Sequence, residues 1–210
     1  MTDAQTTTPP LDRETVDRVV DFHGHMCPGL AIGIQAARIA LREIGPHAQD
    51  EEVVCAVETD MCAVDAIQFL TGCTFGKGNL VHRDYGKNAY TFWRRSDGRA
   101  IRISGRPDAR RRDPDHQELA RKVGLGAASE GELVELRRRH VARAEELLAL
   151  DPHELFDVRE VRDPPPRRAR IHGSVTCADC GEATMETRIR RFAGRELCPE
   201  CFEEALAAGF

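Results

Sequence analysis

The chain has 210 residues, enough for one full domain and a small second one, with 41% hydrophobic and 31% charged side chains. Its formal net charge of -5 gives no general attraction to nucleic acid, and no apolar run is long enough to span a membrane. No basic, apolar, small-residue leader opens the chain, so the expected location is the cytoplasm.

Residues 1–11 are polar and Thr-rich, an expected disordered arm. Asp12 can cap a helix running to about residue 22, with Val16, Val19 and Val20 on its inner side. Next comes FHGHMCPGL, residues 22–30. His23, His25 and Cys27 alternate, so an extended segment would point all three into one pocket. Pro28 suits the first position of a helix, and the apolar run after it continues that helix to about residue 44, where Gly45-Pro46 stops it. Cys27 then falls at a helix N-terminus, where free N–H groups would lower its pKa and favour a thiolate nucleophile or metal ligand. Imidazole and thiolate together suit zinc or a similar metal. The plainer alternative is a buried, inert cysteine with two histidines bonded to backbone.

Residues 52–59 read as a strand containing Cys55, a small core residue. Asp60 can cap a helix over 61–71 that Gly72 ends, which places Cys62 in a first turn. Cys27 and Cys62 could thus face one pocket from two helix starts. Cys73 lies roughly 16 Å further along that helix at 1.5 Å per residue, so Cys62 ranks above it as a ligand of the same ion. Thr74-Phe75-Gly76-Lys77-Gly78-Asn79 resembles a phosphate cradle only loosely; a tight turn is the better reading, with Lys77 a candidate cation for an anionic ligand.

Residues 80–83, 88–95 and 99–104 read as strands, the last two joined by the hairpin turn Ser96-Asp97-Gly98. Residues 94–112 hold eight arginines, a pattern that usually marks a solvated face. Helices follow over about 114–123 and 129–150, the second opened by a Ser129–Glu132 capping box, with His140 in its apolar stripe. Residues 155–162 give a late strand. The Pro-rich stretch 163–170 is an extended linker, so the core domain spans 12–162 and a small domain 171–210.

That small domain carries Cys177-x-x-Cys180 and Cys198-x-x-Cys201 with 17 residues between the pairs. This is the spacing of a structural zinc module. Knuckle, hairpin over 187–197 and helix over 202–208 suggest a treble-clef-like finger, whose folding energy must come from the metal.

Three segments, FHGHMCPGLAIG, VETDMCAVDAIQFLTGCTFGKGNL and DYGKNAYTF, closely resemble the FmdE family of formylmethanofuran dehydrogenase proteins over about residues 15–95. The tail resembles the finger that some members carry. The resemblance implies an α+β fold with a thioredoxin-like core, a mixed sheet flanked by helices, and a metal-binding site in that core. Its matching positions are His23, His25, Cys27, Cys62 and Cys73, with Asp65, Gln68 and Lys77 nearby. The four cysteines outside the tail are too dispersed for ferredoxin-type clusters, so this chain alone is not expected to be the dehydrogenase. The expected function is a metal- and thiol-dependent protein of this type, whose core domain carries a His/Cys metal or redox site using Cys27 and Cys62. The runner-up is an accessory subunit or metallochaperone for a molybdenum- or tungsten-type metalloenzyme. A structural zinc in the tail, a second metal such as zinc in the core, and a homodimer packed through the 28–44 and 129–150 helices complete the expectations.

Overall fold

The computed structural model describes residues 11–107 and 114–209. The chain forms two compact units, Met1–Arg168 and Ala169–Phe210. The residues expected to form the arm lie almost wholly outside the described range, as do Arg110, Arg111 and Arg112 of the basic stretch.

The first unit runs α1 (Arg13–His23), α2 (Pro28–Glu43), β1 (Val53–Val57), α3 (Ala63–Thr71), β2 (Leu80–His82), β3 (Ala89–Arg94), β4 (Ala100–Gly105), α4 (Pro114–Gly124), α5 (Glu130–Ala149), α6 (Pro152–Leu155) and β5 (Phe156–Glu160). The five strands make one sheet in the order β2-β1-β3-β4-β5. β1 and β2 pair in parallel across the α3 connection, and every other pairing is antiparallel. The fold is therefore α+β with a mixed sheet and flanking helices.

One face of the sheet carries Cys55, Val57, Tyr90, Phe92, Ile101 and Ile103 into the main core. α2 lies at the centre of that core: its residues from Leu30 to Ala40 are all buried, packed by α3 on one side and α5 on another. Its burial within its own chain removes α2 as the dimer face expected from the sequence. The opposite sheet face is covered more thinly. There Val54, Ala56, Trp93 and Ala100 cluster beneath Val81 and Val161, and the Trp93 indole donates to the Asp163 carbonyl at 2.8 Å. Both faces of β1 are thus buried, which is why its residues read as a continuous apolar run.

Two polar devices hold the helical layer. The buried Gln35 amide donates to the carbonyls of Leu147 at 2.6 Å and Leu150 at 3.0 Å, tying the end of α5 to the middle of α2. Gly33 lets α3 approach α2 backbone to backbone: a Cβ there would stand 2.3 Å from the Ala63 carbonyl oxygen. That approach sets the first turn of α3, and with it Cys62, against the first turns of α2.

The described arginines of the basic stretch are paired, Arg99 and Arg106 on an exposed face and Arg95 and Arg102 largely enclosed. Arg94 pairs with Asp97, Arg99 with Glu43, Arg102 with Glu58 and Arg106 with Asp157, while Arg95 donates to the Glu51 carbonyl. These guanidiniums act as internal ties across the sheet's rim. The Glu58–Arg102 pair is the most enclosed, with the Glu58 side chain 4% exposed.

The second unit contains β6 (Ser174–Thr176), β7 (Ala183–Met185), a 3-10 turn (Glu186–Arg188), β8 (Arg190–Phe192), β9 (Arg195–Leu197) and α7 (Pro199–Ala207). β6–β7 and β8–β9 are antiparallel hairpins. The first hairpin went unread in the sequence; its strands are three residues each. No helix among the described residues is long and apolar enough to cross a membrane.

Candidate metal centre

The His23–Cys27 segment is not extended. His23 closes the last turn of α1, Gly24 caps that helix with φ 95°, and Cys27 is the N-cap of α2. Only glycine adopts such a left-handed backbone without strain, and it reverses the chain between the two helices. The expected convergence survives by this different route. Donor atoms of His23, His25 and Cys27 all lie within 4.8 Å of one another. His23 Nε2 stands 3.9 Å from Cys27 Sγ, and the two imidazole centroids are 4.7 Å apart.

His23 is oriented from behind. Its Nδ1 lies 2.6 Å from Asp65 Oδ2, a residue of α3. With Asp65 accepting from Nδ1–H, the Nε2 lone pair is directed toward Cys27, the arrangement that raises a ligating imidazole's basicity in metal sites. The His23 side chain is 10% exposed and that of Asp65 39%.

Cys27 Sγ accepts from the Leu30 N–H at 3.3 Å, so the helix N-terminus does hold this sulfur. The lowered pKa expected from that position is nevertheless reversed. Burial pushes the Cys27 thiol up to about 11, with the neighbouring Cys62 adding to the shift and the Leu30 and Gly29 amides opposing it. Burial of a lone thiolate outweighs one helix terminus. A cation beside the sulfur would supply the missing charge, so the environment fits a metal-bound thiolate better than a free one.

Cys62 approaches the same point from the start of α3. A Cβ on Gly29 would lie 3.6 Å from Cys62 Sγ and 3.8 Å from Cys27 Sγ, so the two thiols flank Gly29. Cys62 is half-buried and lies outside the three-residue donor cluster, at its edge. Beside the cluster opens a cavity of about 520 Å³, reached by His25, Cys27 and Cys62 and walled by the start of α3, by α5 and by the α6–β5 junction.

The other candidates are placed elsewhere. Cys73 is fully buried in the main core, its Sγ donating to the Val53 carbonyl at 3.6 Å, and it neighbours Cys55 rather than the histidines. Burial raises its pKa to about 11. Lys77 Nζ donates to the Ala48 carbonyl at 2.8 Å and closes a loop. The Gly-rich loop around it is no phosphate cradle. The N–H groups of Thr74, Phe75, Lys77 and Gly78 donate to Asn79, Gln68, Thr74 and Phe75 respectively. Asp65 was legible as a motif residue but not as a partner of His23, since nothing in sequence joins positions 42 apart. His140 does reach the cavity wall, with its ring centroid 5.1 Å from that of His116.

In the second unit Cys177, Cys180, Cys198 and Cys201 bring their sulfurs within 4.8 Å of one another. Cys177 and Cys180 sit in the turn of the β6–β7 hairpin, where Gly181 takes φ 76°. Cys198 caps α7 and accepts from the Cys201 N–H at 3.5 Å. Backbone N–H groups of Cys198, Cys180 and Asp179 lower the Cys177 pKa to about 6. Phe192 and Phe202 pack edge to face at 5.8 Å over this small core. Four convergent thiols in a unit with so few apolar residues are a structural zinc site.

Residues 22–157 match the family model described as FmdE, molybdenum formylmethanofuran dehydrogenase operon. Residues 170–205 match the prokaryotic dksA/traR C4-type zinc finger. A protein of Archaeoglobus fulgidus described as "Probable S-adenosyl-L-methionine-binding protein" is 33% identical over 192 residues, covering 88% of this chain and 51% of that protein. The chain thus spans about half the length of that curated relative. The crystal structure of an FmdE-like protein of the tungsten formylmethanofuran dehydrogenase type, from Syntrophus aciditrophicus, shares the fold at TM-score 0.59 and 24% identity, covering 96% of this chain and 98% of that one. By the match over most of its first unit, this chain belongs to the FmdE family and carries a C4 zinc finger in its second.

Proposed function

We propose that the core unit is a metal- and thiol-dependent site in which His23, His25 and Cys27 hold one metal ion and Cys62 stands at its open side. The observation that carries this reading is the donor cluster within 4.8 Å, backed by the Asp65 carboxylate on His23. A bound zinc-type ion would supply Lewis acidity at the mouth of the cavity. The residues do the rest. Asp65 fixes the His23 tautomer, the Leu30 N–H and the ion together hold Cys27 as a thiolate, and the half-buried Cys62 is left to meet whatever enters. Elemental mass spectrometry on the full chain tests it. Two metals per chain, falling to one in Cys27→Ala, are expected; one metal in both proteins overturns the reading.

An accessory role, as a subunit or metallochaperone docking a molybdenum- or tungsten-type metalloenzyme, is supported by the C4-type zinc finger carried in a second unit of the chain. Recovery of an oxidoreductase or cofactor-assembly protein with the full chain, lost when Cys201 is replaced by Ser, would favour it. A homodimer is now supported by α5 alone, whose Val134 is 65% and Val141 40% exposed one heptad apart. Sedimentation velocity of Val134→Glu tests it, a monomer being expected. S-adenosyl-L-methionine belongs among the titrants because the Archaeoglobus relative carries that description. Saturable binding by the metal-free chain would move the reading from metal to that ligand.

A further inference from the structure

Resting on that reading of the site, we infer that the cavity beside the cluster takes a small thiol that also bears a single carboxylate, a mercapto acid. Four features of the wall set the requirements. Cys27 and Cys62 line the cavity, and a borderline ion such as zinc held by two imidazoles and the Cys27 thiolate has room for a thiolate as its further ligand. Elsewhere on the same wall α5 brings His140 and Arg143. Arg143 Nη1 donates to Glu146 Oε2 at 2.8 Å, with the Arg143 side chain 26% exposed and that of Glu146 63% exposed. Arg143 thus lines the cavity while its guanidinium is paired with the solvent-facing Glu146 carboxylate. A guanidinium presents five N–H donors in a planar fork suited to carboxylates.

The rest of the lining is largely apolar, with Ile32, Leu147 and Phe156 among it, which suits a short hydrocarbon body. Asp60 also lines the cavity, and its negative charge disfavours a ligand with a second acid group. The volume of about 520 Å³ is that of a small-molecule site rather than a peptide groove.

The test is calorimetric titration of the zinc-loaded full chain with 3-mercaptopropionate, propionate and 2-mercaptoethanol, paired with cobalt spectra of the same protein to read new sulfur coordination. Binding of 3-mercaptopropionate at least tenfold tighter than of either single-function probe is expected, with a new sulfur-to-cobalt absorption. Arg143→Met should remove the advantage over 2-mercaptoethanol without weakening 2-mercaptoethanol itself. Equal affinity of the two thiols for the unmodified chain, or an unchanged preference in Arg143→Met, overturns the ligand class while leaving the metal site standing. Absence of a second metal overturns the metal reading, and this inference with it.

Discussion

Asp65 Oδ2 sits 2.6 Å from His23 Nδ1, so a residue of α3 fixes the imidazole orientation of a residue in the last turn of α1. Ligand and support therefore come from different helices, and the cluster's geometry depends on how those helices pack. Asp65→Asn keeps the shape and can even orient its amide oxygen toward Nδ1–H, but it loses the negative charge. Core metal affinity is expected to fall about 10- to 100-fold, with finger zinc retained. Competition against a chromophoric chelator reads both sites separately.

The cysteines divide by location. Cys27→Ala should lose the core metal. Cys73→Ala should keep it, because its sulfur lies against the Val53 carbonyl in the main core. That second change still removes a fully buried atom, at a cost of roughly 1–2 kcal/mol in chemical denaturation. Metal loss in Cys73→Ala with the fold intact would place that residue in the site after all.

Gly33→Ala ordinarily favours a helix by about 1 kcal/mol. Here the added methyl would meet the Ala63 carbonyl oxygen at 2.3 Å. Separation of α2 from α3 should therefore reverse the sign and destabilise the core by roughly 1–3 kcal/mol. It should also draw Cys62 away from Cys27, which a drop in the yield of a Cys27–Cys62 crosslink with a short bis-maleimide would report.

Stability should depend on pH through Glu58. Two hydrogen bonds from Arg102 hold its carboxyl below the ordinary value of 4.5, against the opposing effect of burial. A depressed folded-state pKa means the contribution is fully present above about pH 4.5, the unfolded value, and is lost as pH falls through the lower folded one. Glu58→Gln should cost roughly 3 kcal/mol near neutral pH by leaving Arg102 partly enclosed without its anion. The gap between variant and parent should close in acid; a gap constant from pH 7 down to pH 3 would rule the linkage out.

Much of this was legible in the sequence because it was local. Asp12, Ser129 and Gly72 announced helix ends, Asp97-Gly98 announced the β3–β4 turn, and two CxxC pairs announced the finger. The His23–Cys27 cluster was found for a partly mistaken reason. Alternation in an extended strand and a glycine reversal between two helices both bring positions 23, 25 and 27 together. What stayed hidden was long-range. The partners of Asp65, Arg99, Arg102 and Lys77 are chosen by packing, so arginines of the basic stretch tie to Glu43 and Glu58, and the Lys77 ammonium closes a loop on the Ala48 carbonyl. The Cys27 pKa failed likewise, because burial is a tertiary property and outweighed the local helix terminus.

The tie from Gln35 to the carbonyls of Leu147 and Leu150 has a consequence for the order of assembly. His23, His25, Cys27, Cys62 and the supporting carboxylate of Asp65 have all emerged once residue 65 has, and the two helices that flank the first three are neighbours in the chain. The α5 wall of the cavity cannot be docked until residue 150 has emerged to satisfy Gln35. On the growing chain the residues of the donor cluster thus emerge well before the helix that walls the cavity beside them.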